Sequence, residues 1–483
     1  MVFDVIVIGG GITGAGILRD CALRGLKALL LERGEPGAAT TAASTHLIHG
    51  GLRYLLYDRL TTHITCWDSG NIFRIARPLL TRLPILWPVY RDHRHGIETV
   101  ETLLESYDKF SPMKEGLPHL RLSARETLCI VPDLNPEGLV GAVSFDEWWV
   151  DPVRLVRANL DAARSLGAEV RTGCQATGFL CETAASQQPL DAALPRDNAR
   201  SPAFNKVIGA AAVGADGKVE NFRGKIVLNA SGPWVDRVTS LAAARVPLQL
   251  RKGTHLVYDR ELAWAKNAPA AVCRPLGLLL EAEDRERYVF VVSAGGQTLL
   301  GPTDVPGPED PDKISSSPEE MRSLLASVRR YFDYFPERFD RTIVGARPIL
   351  GQRGSEKLLS REYEIIDHAA RDGIEGLVTA AGGKMSDFRL MAQEAVDIAC
   401  RKIGVNSPCR TADQTLAGEP LPPAKTWPRP PKPLKKLLRR HPRLREMHAL
   451  AYLAGGLLRH GILGFLGRHI KSNAQEFEKH YNT

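Results

Sequence analysis

The chain has 483 residues, 44% of them hydrophobic, enough for two or more packed domains and too apolar for a disordered or fibrous protein. Its formal charge is +8, from 63 Lys and Arg against 55 Asp and Glu, and no run of 18 uncharged apolar residues occurs, so a bilayer-spanning helix is not expected. Eight cysteines stand apart with no C-x-x-C and no metal spacing, which argues against a disulfide framework, an iron–sulfur relay or any metal site.

Residues 4–14, Asp-Val-Ile-Val-Ile-Gly-Gly-Gly-Ile-Thr-Gly, predict a buried strand, a glycine turn and a helix start. Gly9, Gly11 and Gly14 stand at the G-x-G-x-x-G spacing, for a tight turn, for close approach of a pyrophosphate and for helix–strand packing. The helix is expected to run to Arg24 and stop at Gly25. A second strand, 27–31, ends in Glu32, where an acid binds a ribose diol. Glu32 disfavours a 2′-phosphate, which leaves NAD or FAD. The chain enters its first strand at once, so no leader is expected and a cytoplasmic protein is.

Residues 33–55 are too small and polar for a core element and suit the lining of a long cofactor. Further on, a helix is expected over 151–166, a strand near 169–171, a surface insertion over 183–205 and a strand over 225–230. Alternation predicts antiparallel strands at 254–258, 277–281, 288–293 and 298–301, then a helix over 318–331. A buried strand at 376–381 turns through Gly382 and Gly383 into a helix over 386–403. Seven prolines in 420–433 read as a stiff linker.

Ser44-Thr45-His46-Leu47-Ile48-His49-Gly50-Gly51-Leu52-Arg53-Tyr54-Leu55 closely resembles the S-x-x-L-I-H-G-G-L-R-Y-L run of the FAD-dependent, quinone-linked glycerol-3-phosphate dehydrogenases. Shorter matches lie at 145–155, 229–236, 251–255, 301–305, 345–348, 360–363, 382–384 and 409–418, so the resemblance covers residues 1–418. It implies an α/β fold similar to D-amino-acid oxidase. A Rossmann-like FAD-binding domain carries an inserted antiparallel-sheet substrate domain, and a short basic C-terminal tail follows. The FAD-binding domain is expected over 1–90, 145–245 and 341–405, and the substrate domain over 91–144 and 246–340. A Pro-rich linker, 406–433, and a basic amphipathic segment, 434–483, complete the chain.

The resemblance implies an enzyme that oxidises sn-glycerol 3-phosphate to dihydroxyacetone phosphate by hydride transfer from C2 to flavin N5, with a membrane quinone taking the electrons. The implied FAD contacts are Gly9, Gly11, Thr13, Gly14, Glu32 and Arg33 in the first unit, and Ser44, Leu47, His49, Gly50 and Gly51 in the loop after it. Gly232 and Trp234, then Gly383, Lys384, Met385 and Ser386, complete that set, the last beside a helix start whose dipole suits a reduced flavin. Arg53, Tyr54, Arg347, Arg361 and Lys384 are the implied substrate contacts, arginine suiting phosphate through its planar fork. His255, Arg347 and Lys384 are the implied catalytic set. His255 is expected to be the base, because a histidine can be neutral near pH 7 and an arginine cannot.

Two departures stand out. The family's K-L-T-T-Y-R reads Lys384-Met385-Ser386-Asp387-Phe388-Arg389 here, and His46 replaces a common lysine. Ser386 or Asp387 is expected to cap the next helix, and Asp387 to set a carboxylate that opposes anionic reduced flavin. Two other readings stay open: an FAD-dependent oxidase or dehydrogenase of an amino acid or hydroxy acid on the same fold, and a non-catalytic flavin-binding protein at a membrane.

Residues 425–472 hold 12 Lys or Arg against Glu446 alone, a charge of +11 that leaves −3 for the remainder. Leucines from Leu450 to Leu466 lie among them, so the segment is expected to dock on an anionic membrane surface, at the inner face of the cell membrane. Aromatic interleaving is sparse and no nucleic acid is expected. A homodimer is compatible with the sequence.

Overall fold

The computed structural model describes residues 1–56, 59–183, 186–190, 204–262, 275–351, 363–424 and 474–481, with Met447, Ala454 and Leu458. The linker beyond residue 424, most of the basic segment, residues 191–203 of the expected insertion, and Arg361 lie outside the described residues.

The first sheet forms around strand Val2–Ile8, whose Val5, Ile6 and Val7 are fully buried, as a strand covered on both faces requires. It pairs in parallel with Ala28–Leu31 on one side and with Val219–Asn229 on the other. Glu169–Arg171 extends one edge in parallel, and Leu377–Gly382 runs parallel to the end of Val219–Asn229. Helix Ile12–Leu23 covers one face and packs against helices Pro152–Ser165 and Phe388–Ile403. Beyond Val219–Asn229 the sheet continues antiparallel through Phe204–Val213 and Gln175–Thr183, which with helix Val235–Ser240 pack on the other face. Parallel strands all end on the same edge, so Gly9, Glu32, Ala230 and Gly383 gather there.

The second sheet is curved and almost wholly antiparallel. Its order is Val305–Pro306, Leu248–Tyr258, Gln297–Gly301, Tyr288–Ala294, Leu276–Glu281, Leu80–Tyr90, Leu139–Val150 and Leu47–Ile48. Arg341–Leu350 joins it by pairing with Leu248–Tyr258 over ten positions. One face packs on helices Ala124–Ile130 and Pro318–Arg329; the other looks toward the first domain and is flanked by helix Ile97–Asp108.

The fold is the expected one, with different seams. The boundaries expected at 90, 145 and 341 fall beside or inside second-sheet strands, so 80–90, all of 139–150 and 341–350 belong to that sheet. Strand Leu80–Tyr90 escapes sequence reading because it holds Pro84 and Pro88, residues that usually exclude a strand. The end of the chain returns to the body: helix Ala474–Tyr481 buries Phe477 completely in the second domain's core.

Candidate active site and cofactor cradle

The first strand ends at Gly9, whose φ is +105° and where a Cβ would lie 2.6 Å from Ala230 O. A Cβ on Gly14 would overlap Gly9 O. Both glycines are therefore demanded by the chain itself. Gly11 is different: its added Cβ would meet only Thr41 Oγ1, at 3.4 Å, and the space beside it belongs to the cavity. Gly11 is also the N-cap of helix Ile12–Leu23 and offers no side-chain cap. A glycine that the protein does not need, at a helix start whose Ile12 N–H goes to Thr41 Oγ1 at 3.2 Å, fits a bound pyrophosphate. Thr13 lines the same end.

Glu32 accepts Gly10 N–H at 2.6 Å and Gly34 N–H at 2.8 Å, which fixes its carboxylate at the cavity wall where a ribose diol would bind. Arg33 stacks on Trp234 at 4.1 Å and pairs with Asp312 at 2.9 Å. Burial pushes the Asp312 carboxyl up, but bonds from Arg33, Arg237 and Trp234 outweigh it and bring it down to about 2.

The loop after Glu32 carries the next contacts. Ser44, Leu47, His49 and Gly51 line the cavity. Gly50 lies behind it, where a Cβ would overlap the Tyr107 hydroxyl. Five bonds hold this loop by its backbone. His49 N–H donates to Ser386 Oγ at 2.9 Å, and Gly50 N–H to Glu147 Oε2 at 3.0 Å. Ser69, Cys66 and Thr62 donate to the carbonyls of His49, Gly50 and Gly51. Glu147 also accepts from Tyr107 Oη and Lys114 Nζ, both at 2.6 Å. Burial lowers the Lys114 pKa, but Glu147 and Asp146 outweigh it and hold the value above the usual one. Nothing in the sequence marks Glu147, Lys114 or Tyr107 as the support of this loop.

The turn 383–387 closes the cavity from the first domain. Gly383, Lys384 and Met385 line it. Neither expected cap forms: Ser386 accepts from His49 instead, and Asp387 makes no side-chain bond to the helix start. Asp387 pairs with Lys384 at 2.8 Å, so its carboxylate is neutralised and does not stand as the expected opponent of a reduced flavin. Behind the turn, buried Asp68 accepts from Arg389 Nε at 2.5 Å and from Leu390 N–H at 3.0 Å.

The second sheet supplies the reacting side. His255 is 1% exposed on strand Leu248–Tyr258; its Nε2 lies 3.0 Å from Thr45 Oγ1, and its Nδ1 is buried with no hydrogen-bond partner among the described residues. Burial, then Arg347 and His46, bring its pKa down to about 3, so the ring is neutral. Arg347, on the paired strand, lays its guanidinium across Gly253, where a Cβ would overlap Nη2. It donates to Thr303 O at 3.1 Å and reaches Asp304 at 3.3 Å; Arg251 shares that carboxylate at 3.0 Å. From the first domain, Arg53 and Tyr54 project on the short helix Leu52–Leu56, with Lys384 Nζ 4.7 Å from the Tyr54 ring centre. His46, buried at a φ of +59°, packs against Trp149 beside this group.

One cavity of about 1310 Å³ thus joins Gly11, Glu32 and Trp234 at one end to Arg53, Tyr54, Lys384, His255 and Arg347 at the other. Gly232 lines its middle, while Gly14 and Ser386 support it from behind.

The family model of the FAD dependent oxidoreductases matches residues 4–389 of this chain. One component of the anaerobic glycerol-3-phosphate dehydrogenase of Escherichia coli (strain K12) is 29% identical over 431 residues, covering 87% of this chain and 71% of that protein. The aerobic glycerol-3-phosphate dehydrogenase of Staphylococcus haemolyticus is 28% identical over 428 residues, covering 86% and 71%. Among solved structures, the glycerol-3-phosphate dehydrogenase from Bacillus halodurans complexed with FAD is similar at a TM-score of 0.63 and 24% identity, covering 85% of this chain and 67% of that one. The dinucleotide of this cradle is FAD.

Two outcomes follow from the geometry. Gly11→Ala leaves the melting temperature of the apoprotein near that of wild type and weakens FAD about tenfold, the cost of one displaced charge-assisted bond. Gly14→Ala lowers apoprotein stability as well. FAD titration and melting curves read both; wild-type FAD affinity in Gly11→Ala would place the pyrophosphate elsewhere. The second outcome concerns pH. His255 binds its proton at about 3 in the folded chain against the usual 6.5 unfolded. The unfolded state therefore takes up the proton first as pH falls, and stability drops through the window from 6.5 to about 3, with no effect above it. The slope is about 1.4 kcal/mol per pH unit, and His255→Gln should flatten acid-side denaturation curves by that amount.

Proposed function

We propose that this chain, which belongs to the FAD-dependent oxidoreductase family, oxidises sn-glycerol 3-phosphate to dihydroxyacetone phosphate. The observation that carries this reading is the spacing of a fixed cation from a neutral histidine. The Arg347 guanidinium crosses Gly253, and His255 stands two residues further on the same strand face, about 6.7 Å away. A phosphate on Arg347 sets C2 of a glycerol phosphate opposite His255. Arg53 and Lys384 face the same space from the first domain and can share the dianion. The relatives named for glycerol-3-phosphate dehydrogenase activity support the same substrate.

FAD, when bound, supplies the acceptor for the hydride lost from C2. His255 handles the hydroxyl proton. Nε2, beside Thr45 of the cavity lining, is the nitrogen placed to accept that proton, since Nδ1 is buried away from the cavity. A pKa of about 3 makes His255 a weak base in the empty site. The phosphate dianion neutralises Arg347, one cause of that depression, so substrate binding itself strengthens the base.

Anaerobic addition of glycerol 3-phosphate should bleach the bound flavin, and amino or hydroxy acids should not. Arg347→Ala should raise the half-saturating concentration on the order of 10- to 100-fold, since charge-assisted bonds are worth about 1.5–3 kcal/mol. His255→Ala should slow flavin reduction roughly 100-fold or more with little change in binding. Equal reduction rates in wild type and His255→Ala would remove His255 from the chemistry, and bleaching by an amino acid alone would overturn the substrate.

The electrons pass on to a membrane quinone in this reading, with the enzyme held peripherally at the inner face of the cell membrane by its basic segment. The +11 charge of residues 425–472 supports it. Truncation is a poor control, because Phe477 belongs to the core. Replacing Lys435, Lys436, Arg439 and Arg440 by Gln keeps the last helix and should abolish low-salt sedimentation with anionic vesicles. Undiminished sedimentation would acquit the segment.

A further inference from the structure

The cavity does not stop at His255. The second sheet carries a single row of side chains away from it, one from each successive strand. Gly301 stands beside His255, its added Cβ 2.9 Å from His255 Cδ2, and so leaves the row open at that point. Phe290 pairs with Gly301, and Leu279 with Phe290. Trp87 follows, one step past the Leu278–Leu86 pair. His255, Phe290, Leu279 and Trp87 all line the cavity. Four interstrand steps of about 4.8 Å make this row roughly 19 Å long.

Helix Ile97–Asp108 walls the same lane. Its Tyr107 lies behind Gly50, Leu103 lines the cavity one turn nearer the helix start, and Arg94 and His95 line it just before that start. The eleven residues from Tyr107 back to Gly96 measure about 16 Å, close to the length of the row. Phe145 adds to the lining. The lane opens between Arg94 and the turn that bears Arg287, where Tyr288 meets Trp87 edge-on at 4.9 Å. Between His255 and that mouth the row itself offers only apolar side chains.

A glycerol phosphate spans six bonds, roughly 7–8 Å. With its phosphate on Arg347 and C2 at His255, it ends just past His255. The substrate's own atoms leave Leu279 and Trp87 uncovered, and an apolar row favours an apolar occupant over water. C1 points along it. The phosphate is held and the C2 hydroxyl reacts, so O1 is the position free to carry more.

We infer that the row Phe290–Leu279–Trp87 is a subsite for an apolar substituent on O1, and that the substrate class of this enzyme is 1-O-substituted glycerol 3-phosphates. The inference rests on the reading of Arg347 and His255 given above. The C2 carbinol becomes a ketone: its hydride goes to the bound FAD, its hydroxyl proton to His255, and the C1–O bond stays intact. The product is a 1-O-substituted dihydroxyacetone phosphate.

The test compares glycerol 3-phosphate with its 1-O-ethyl, 1-O-butyl and 1-O-hexyl ethers on the holoenzyme. The expected kcat/KM rises along the series, by up to about fourfold per methylene. Leu279→Trp fills the lane and Phe290→Ala strips its first wall; each should lower the hexyl-to-unsubstituted ratio of kcat/KM at least tenfold. Calorimetry with 3-(hexyloxy)propyl phosphate, which lacks the C2 hydroxyl and cannot turn over, should show tighter binding than propyl phosphate. Turnover of glycerol 3-phosphate with a falling ether series makes the lane an entrance only and overturns the inference alone. Failure of every phosphate to bleach the flavin overturns the parent reading and this one with it.

Discussion

A carboxylate removed from water must find a partner for its charge and its lone pairs, and Glu147 meets that demand by holding the loop that faces the cofactor. It stands on strand Leu139–Val150, and one of its bonds goes to Gly50 in the loop that follows the neighbouring strand Leu47–Ile48. Tyr107 and Lys114 complete the set from two other elements. Removing one member of such a buried pair costs about 3–5 kcal/mol, because the other charge is stranded. The loop His49–Gly51 is consequently rigid where it meets the cofactor. Glu147 thus serves the site without belonging to its chemistry.

The same economy of charge shapes the reacting end. Asp304 is shared by Arg251 and Arg347, one acid between two cations, and Arg53 adds a third cation nearby. An incoming dianion meets the guanidinium groups of Arg53 and Arg347 on the cavity wall. The strand behind it is held by Glu320, which accepts from Thr254 and Thr303 hydroxyls at 2.9 and 2.7 Å and pairs with Lys252 at 2.6 Å. Lys384, by contrast, is tied to Asp387. The departure from the family's usual residue at 387 thus alters Lys384 more directly than the flavin.

What can be read from residues alone follows the range of the interactions involved. The Val2–Ile8 strand, its glycine turn and Glu32 are local: each signal lies within a few residues of its effect, and the structure has all of them in place. The strands near 254–258, 277–281, 288–293 and 298–301 announce themselves by alternation. Leu80–Tyr90 does not, because its prolines mimic a loop. Glu147, Lys114, Tyr107 and Asp68 are illegible for another reason. Their partners lie tens to hundreds of positions away, and a lone acid or lysine carries no mark of burial. Ser386 shows the same limit: it sits where a cap is expected, but its hydroxyl is claimed by His49 from across the fold.

The first sheet is assembled from distant stretches of chain, and this bears on how the protein comes into being on a ribosome. Val2–Ile8 emerges well before its neighbour Val219–Asn229, which follows more than two hundred residues later, with Leu377–Gly382 later still. At about 5–20 residues per second the opening strand waits roughly ten to forty seconds for that neighbour. Throughout the wait an apolar segment with one unsatisfied edge is open to other nascent chains. The pyrophosphate turn stays incomplete over the same interval, because Gly9 packs against Ala230. Cofactor capture is therefore a late event in biogenesis, since the turn that receives the pyrophosphate is complete only once Ala230 is in place.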